Sequence, residues 1–167
     1  MKLKSIALAV ALSACMGVVA AQQPAAQPQP QQQAAQPQQL TQEQQAQLAR
    51  QDAELTNAAT QVVQMIDANR VGEAWDVSTD VVKRIVPRAS FVEQVAADRA
   101  RLGAPTARGQ AVVTRTQFQD GGEVPAGLYI NVAFPTTFAN NAEPVRELVS
   151  FRLDEDQVWR LSGYSLR

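Results

Sequence analysis

The chain has 167 residues, with 15 lysines and arginines against 16 acidic residues and a formal net charge of −1. This balance argues against a general nucleic-acid binder, because such proteins carry a marked excess of positive charge. Histidine is absent, which excludes Ser–His and Cys–His catalysis and the commonest nitrogen ligand of zinc. A single cysteine, Cys15, excludes an internal disulfide. We therefore expect neither a metal site nor a cofactor.

The first 21 residues have the layout of a secretory signal peptide. Lys2 and Lys4 form a basic end, an apolar stretch follows, and small residues precede a cleavage site after Ala21. A retained membrane span is the competing interpretation, but the apolar run is about 17 residues long, at the lower limit for crossing a bilayer. The sequence therefore predicts an exported protein.

Two cleavage sites compete within this signal and predict different mature proteins. Residues 12–15, LSAC, resemble the lipobox of bacterial lipoproteins, in which residues 1–14 are removed and Cys15 carries the lipid. Cleavage after Ala21 would instead remove residues 1–21, including Cys15, and release a soluble protein. Both alternatives stay open, so we expect either a periplasmic protein or an outer-membrane lipoprotein of a Gram-negative-type envelope. The only membrane contact expected is the lipid anchor at Cys15.

Residues 22–47 are dominated by glutamine, alanine and proline, with Glu43 as the only charged residue. Such a segment has so little apolar surface that burial cannot offset the conformational entropy of folding. We predict a disordered linker over residues 22–47 and one folded domain over residues 48–167.

Three helices are predicted at the start of the domain. Thr41 and Gln44 have the spacing of a capping box, and the helix that follows should end near Asn69 or Gly72. Its apolar face recurs at spacings of three, four or seven residues and comprises Leu48, Leu55, Ala59, Val62 and Ile66. A second helix covers residues 73–86. The third starts at Pro87 and ends at Gly103, and its inner side comprises Phe91, Val95, Ala96, Arg99 and Leu102.

The residues after Pro105 are predicted to form a four-stranded antiparallel meander. Strict alternation places four residues of the second strand on one face: Leu128, Ile130, Val132 and Phe134. Pro135 predicts that this strand is an edge or carries a bulge. The next strand alternates through Val145, Glu147, Val149, Phe151 and Leu153. Helices followed by such a meander predict an α+β domain with the helices packed on one face of the sheet.

Several features of this domain resemble a known family. They are Trp75 after a helix break, Pro87 with an aromatic residue four positions on, Gly103 at a helix end, FAN at 138–140 and the closing VWRLSGYSLR at 158–167. Over residues 53–167 the pattern resembles the bacterial secreted family numbered 4019 among the domains of unknown function. Phe91 departs from it, because that family more often has tryptophan there. The resemblance implies a small exported domain and carries no activity.

The order of elements is also similar to the cone-shaped fold of nuclear transport factor two, which implies a pocket between sheet and helices. Five aromatic residues are candidates for lining it: Trp75, Phe91, Tyr129, Trp159 and Tyr164. The competing interpretation places them in the core. A catalytic use of the pocket would need an Asp or Glu as base beside Tyr129 or Tyr164. The candidate bases are Asp67, Asp76 and Glu147, but the sequence fixes no geometry, so no catalytic residue is assigned.

Two charged groups of residues have alternative interpretations. The arginines around the third helix could bind an anionic ligand or an envelope polymer; they are Arg84, Arg88, Arg99, Arg101 and Arg108. Acidic residues interleave with them, which favours an ordinary salt-bridged surface. The acidic run at 154–156 lacks the ligand spacing of a calcium loop and is predicted to be a solvated turn.

The sequence therefore favours an exported, noncatalytic binding or interaction module whose partner is an unknown small ligand or envelope protein. The alternative is a small-molecule enzyme of the proton-transfer or isomerase type, with an Asp or Glu and a Tyr in the cone pocket. A homodimer through the exposed sheet face is a third class. A carboxylate within hydrogen-bond reach of Tyr129 or Tyr164 inside a cavity would favour the enzyme.

Overall fold

The computed structural model describes residues 39–167. The predicted signal peptide, Cys15 and the predicted linker up to residue 38 lie outside the described residues. In chain order the elements are α1 (Gln42–Asp67), α2 (Val71–Asp76), α3 (Asp80–Ile85), α4 (Arg88–Leu102), β1 (Pro105–Arg108), β2 (Val112–Phe118), β3 (Gly127–Phe138), β4 (Asn141–Leu153) and β5 (Trp159–Leu166). The predicted α+β class is confirmed, but within residues 39–167 there is one helix and one strand more than predicted.

Local sequence signals fix both ends of α1. The Thr41 hydroxyl accepts a hydrogen bond from the backbone N–H of Gln44, and the Gln44 side chain accepts one from Thr41, which confirms the capping box. Beyond the last turn, Asn69 adopts a left-handed conformation with φ 64°. Because α1 begins at Gln42, residues 42–47 are helical, although their composition placed them in the linker. The predicted apolar face is buried from Leu55 onward, whereas Leu48 is half-buried.

The segment predicted as one helix over residues 73–86 forms two helices, α2 and α3. Between them Ser78 forms a parallel bridge with Leu161 of β5, and the Thr79 N–H donates to the Leu161 carbonyl at 2.8 Å. The Thr79 hydroxyl then caps α3 by accepting from the N–H of Val81. The break therefore comes from pairing with β5, since Ser78 and Leu161 are 83 residues apart in the chain, and local periodicity does not encode such a contact.

Helix α4 lies between two residues that mark its ends. Pro87 is the N-cap rather than the first helical residue, and Gly103 ends the helix with φ 79°. Val95 and Leu102 are buried, as predicted, but Ala96 is exposed. The inner side of α4 is therefore narrower than the sequence indicated.

All strands pair antiparallel in the order β1-β3-β4-β5, with β2 also pairing to β3. β1 and β2 follow one another along the same side of β3, so the sheet is four strands wide as predicted, but its first strand is interrupted. Pro135 explains the interruption. Its carbonyl accepts from the Gly109 N–H at 2.9 Å, so it points toward the segment between β1 and β2. In an antiparallel strand the N–H and C=O of one residue point to the same side, and because proline has no N–H, one hydrogen bond to that segment cannot form. β3 is thus a central strand, not an edge, and the irregularity lies opposite Pro135.

One hydrophobic core joins the helices to the inner face of the sheet. It combines the buried residues of α1 with Ile130, Val132, Phe134, Val149 and Phe151. Leu128 belongs to the same face by alternation but is 46% exposed. The buried face of α1 begins only at Leu55, so the helix layer leaves this end of the sheet uncovered. None of the helices in residues 39–167 is both long and apolar enough to cross a membrane.

Candidate functional site

An open cleft of about 570 Å³ lies at the uncovered end of the sheet, within the size range of small-molecule sites. It is lined by the apolar residues Leu128, Ile130, Leu153 and Trp159 and by the polar residues Gln51, Arg115, Thr116, Gln117, Tyr129 and Gln157. Two of the five aromatic candidates, Tyr129 and Trp159, therefore line the same cleft. We refer to it as the Trp159 cleft.

Strand pairing explains why the inner-face residues of the cleft lie side by side. Arg115 pairs with Ile130 across β2 and β3, and Leu153 pairs with Trp159 across β4 and β5. Directly paired residues point to the same face of a sheet, so an arginine is set among apolar neighbours on the inner face. Gln51 of α1 closes the cleft from the helix side.

Arg115 is the charged residue among those lining the Trp159 cleft. Its Nη2 donates to Asp52 Oδ1 at 2.6 Å and to Gln51 Oε1 at 3.0 Å, so α1 holds the guanidinium at the cleft. The Arg115 side chain is 36% exposed. α1 therefore holds the guanidinium through a single nitrogen, Nη2, and the positive charge stays accessible to solvent.

Tyr129 borders the Trp159 cleft through its position between Leu128 and Ile130, but strand alternation places its side chain on the opposite face of the sheet. Its ring meets Phe118 edge-on at 5.2 Å, and its hydroxyl donates to the Pro125 carbonyl at 2.8 Å. Burial raises the pKa of the Tyr129 phenol, so the hydroxyl stays protonated at neutral pH. With its proton directed to a backbone carbonyl, this tyrosine has no carboxylate partner of the kind a proton-transfer enzyme needs.

A second cluster, the Glu147 network, lies where the helices cover the sheet. Its members come from six elements and are Asp67, Arg99, Arg108, Thr136, Glu147 and Tyr164. Glu147 is fully buried. Its Oε2 accepts from Arg108 Nε at 2.6 Å and Thr136 Oγ1 at 2.8 Å. Its Oε1 accepts from the Tyr164 hydroxyl at 2.8 Å, Arg108 Nη2 at 3.2 Å and Arg99 Nη1 at 3.4 Å.

Asp67 completes the charge balance of the network. It accepts from Arg99 Nη2 at 2.6 Å and from Arg108 Nη1 at 2.7 Å. Two carboxylates thus face two guanidinium groups, and each arginine is shared between both carboxylates. Such pairing compensates the cost of removing the charges from water.

Glu147 and Tyr164 form the carboxylate–tyrosine pair that the enzyme alternative requires. However, hydrogen bonds from within the protein already occupy the carboxylate, and we call the pair closed for this reason. Five donors occupy the two oxygens of Glu147, which have about four lone-pair sites. Burial, and next the neighbouring Glu147 charge, raise the pKa of Tyr164, so this phenol keeps its proton. Neither residue lines the Trp159 cleft. The arrangement leaves no open acceptor beside the pair for a substrate proton.

The acidic run at 154–156 differs from the predicted solvated turn at its first residue. Asp154 is 8% exposed and accepts from Thr79 Oγ1 at 2.7 Å, Arg152 Nη1 at 2.8 Å and Arg160 Nη1 at 3.1 Å. Burial alone would raise the pKa of Asp154, but the hydrogen bonds from Thr79, Arg152 and Arg160 outweigh it and hold the pKa below its usual value. This carboxylate fastens the β4–β5 turn to the start of α3.

The remaining sequence candidates lie apart from both clusters. Trp75 donates its indole N–H to the Val86 carbonyl at 2.9 Å, and Phe91 packs against the edge of the core. Asp76 pairs with Arg88 at 2.9 Å on the surface. Arg101 pairs with Asp98 at 3.3 Å, and Arg84 borders a charged hollow beside Asp154. Within residues 39–167, no three His, Cys, Asp or Glu side chains are placed to hold a metal ion.

The fold and these clusters define a small α+β domain with a closed ionic network and an open, largely apolar cleft. The chain belongs to the family described as protein of unknown function (DUF4019), whose model matches residues 58–164. This confirms the family resemblance seen in the sequence, and the matched span includes every member of the Glu147 network. No curated protein and no solved structure matches the chain.

Proposed function

We propose that this protein is an exported, noncatalytic binding or interaction module of the bacterial cell envelope that holds its ligand in the Trp159 cleft. The cleft itself carries the proposal, because it leaves Leu128 half-exposed beside other apolar side chains and an accessible arginine. The closed state of the Glu147–Tyr164 pair supports binding over catalysis.

The position of the cleft also supports the finer fold proposal. We propose that the domain has the cone-shaped fold of nuclear transport factor two, with the Trp159 cleft as the opening of the cone between α1 and the inner face of the sheet. Folds of this kind host both enzymes and binding proteins, so the fold alone does not choose between them.

The chain provides a built-in reporter for testing the cleft. It has two tryptophans, Trp75 and Trp159, so a Trp75→Phe variant leaves Trp159 as the only indole. Titration of this variant with small amphiphiles and envelope fragments should give a saturable change in Trp159 emission for at least one ligand class. No titrated ligand should be chemically converted. Product formation would favour the enzyme alternative instead.

A matched pair of surface variants tests the location of binding. Leu128→Glu places a negative charge in the cleft, whereas Val112→Glu places one on the outer face, and both native side chains are exposed, at 46% and 58%. Binding should be lost in the first variant and kept in the second. Equal binding by both variants would exclude the Trp159 cleft as the site.

The export proposal has its own measurement, the intact mass of the mature protein recovered from its envelope. A chain that begins at acylated Cys15 would be a membrane-held module. A chain that begins at Gln22 without lipid would be diffusible in the periplasm. A full-length chain that still carries residues 1–21 would overturn the proposal of export by cleavage.

A homodimer is the second candidate, and a patch on the outer sheet face favours it. Val112, Ala133, Pro135 and Pro144 border an apolar hollow of about 420 Å³ there, and such patches often mark interfaces. Light scattering at micromolar concentration should then show a dimer, and Val112→Lys should convert it to a monomer. A monomeric wild type at this concentration would exclude the dimer.

A further inference from the structure

The two halves of the Trp159 cleft differ in chemistry. One half is apolar and consists of Leu128, Leu153 and Trp159. In this half the Leu128 side chain is half-exposed, and the buried Ile130 lies at the bottom. Arg115 brings a positive charge to the inner face directly opposite Ile130. A ligand that fills this cleft therefore needs an apolar body and, within reach of that body, a group suited to a guanidinium.

The Arg115 guanidinium donates only some of its N–H groups to the protein. A guanidinium carries five N–H donors, and Nη2 uses its two protons on Asp52 and Gln51. Within residues 39–167, the three donors on Nε and Nη1 have no protein partner. A planar carboxylate is the acceptor that fits a guanidinium best.

The existing ion pair with Asp52 does not prevent a second carboxylate from binding. In the Glu147 network, Arg108 donates simultaneously to Asp67 and Glu147. The same molecule therefore already contains one arginine shared between two carboxylates. A ligand carboxylate at Arg115 would reproduce that arrangement, with the ligand in the position that Glu147 takes in the network.

Other charged ligands fit the cleft less well. The lining residues other than Arg115 are uncharged, so a cationic ligand would be repelled by the arginine, and the neighbouring Asp52 carboxylate is already paired with it. A phosphate or other polyanion would have one guanidinium for several negative charges. From these contacts we infer that the Trp159 cleft binds a small amphiphile with an apolar body and a single carboxylate, held by Arg115. This inference rests on the proposed function.

Three matched probes with the same hydrocarbon chain test the inference: octanoate, octanol and octylammonium. They are titrated into the full chain carrying Trp75→Phe, with Trp159 emission as the readout. We expect octanoate to bind about tenfold more tightly than octanol, the difference that one charge-assisted hydrogen bond supplies. Octylammonium should bind more weakly than octanol.

Two substitutions identify Arg115 as the source of the preference. Arg115→Gln should lower the affinity for octanoate to that for octanol and leave octanol unchanged. Asp52→Asn removes the competing carboxylate and should tighten octanoate binding. Both side chains are more than one-third exposed, so both variants should fold, which circular dichroism checks. If Arg115→Gln fails to fold, the Asp52→Asn result still decides: unchanged or weaker octanoate binding would contradict the inference.

The outcomes separate the inference from the proposed function. Equal affinity for octanoate and octanol, or tightest binding of octylammonium, would overturn the inferred carboxylate preference. It would leave a binding cleft, provided Leu128→Glu still abolishes the binding of octanol. No binding of any of the three probes would also overturn the inference. The wider amphiphile and fragment titration would then decide separately whether the proposed function stands.

Discussion

The Glu147 network and the Trp159 cleft lie on the same inner face of one sheet. They contain similar residues but differ in how far those residues are buried. Each contains an arginine paired with a carboxylate. In the network the carboxylate is fully buried and five donors surround it. In the cleft the Arg115–Asp52 pair is more than one-third exposed, and the guanidinium keeps unused donors.

The difference follows from how far the helix layer extends. Where α1 covers the sheet, every polar group must find a partner inside the protein, because an unpaired buried group is costly. Where the buried face of α1 ends at Leu55, water satisfies the remaining donors and a ligand can replace that water. The proposed binding site therefore lies at the rim of the helix layer, whereas the buried polar groups of the Glu147 network bind one another.

The largest expected effect separates the two regions by stability. Glu147→Gln should lower the free energy of unfolding by about 3–5 kcal/mol, because it leaves two buried guanidinium groups with one carboxylate. Urea unfolding followed by circular dichroism measures this. Glu143→Gln, on the exposed part of the same strand, is the control and should change stability by less than about 0.5 kcal/mol. A loss below about 1 kcal/mol for Glu147→Gln would mean that the network is not structural.

The next effect concerns acid stability. The folded-state pKa of Asp154 lies below its ordinary value of 3.8, so its stabilisation is present above that pH and is lost as the pH falls through the lowered pKa. Asp156, whose pKa Arg160 lowers to about 2, acts in the same direction. Unfolding measured from pH 5 down to pH 2 should therefore show falling stability. Asp154→Asn should cost about 1–3 kcal/mol at neutral pH and flatten the profile; an unchanged slope would contradict this role.

Tyr164→Phe should have a smaller effect than Glu147→Gln. The substitution removes one donor from Glu147, while both arginines stay in place, so a loss of about 1 kcal/mol is expected. Ligand binding at the Trp159 cleft should not change, because Tyr164 does not line it. If binding were lost while the fold was retained, the two regions would be functionally coupled and the comparison would fail.

The smallest effect on stability is expected in the cleft. Leu128→Glu should change the free energy of unfolding by less than about 0.5 kcal/mol, because the side chain is already half-exposed. The same substitution should abolish ligand binding. A large destabilisation would show that Leu128 is part of the core and that the cleft is a packing feature.

Local signals in the sequence located much of the fold. The capping box at Thr41, the turn at Asn69 and the ends of α4 follow from preferences of a few neighbouring residues. The alternation of β4 also indicated that Glu147 points inward among apolar residues. Its pairing with Tyr164 was one of the possible carboxylate–tyrosine combinations. Its arginine partners could not be predicted, because Arg99 and Arg108 are 48 and 39 residues away in the chain and reach it only through tertiary packing.

The same limit applies to Asp154 and to the cleft. The acidic run at 154–156 predicts a solvated turn because it lacks the ligand spacing of a calcium loop. The partner that buries Asp154, Thr79, is 75 residues away in the chain. Arg115 and Gln51 were not singled out, since nothing in their local sequence shows where the cover of α1 ends. The exposed Leu128 within an otherwise buried alternation is a signal that only the structure makes visible.

The pairing of residues 78 and 79 with β5 has a consequence for how molecules of this protein meet one another. These residues occupy part of one sheet edge through the Thr79–Leu161 hydrogen bond, and the opposite edge is divided between β1 and β2. A long free edge is a template for strand addition and fibre growth. With both edges shortened, the domain offers only short stretches of backbone for edge-to-edge association between copies.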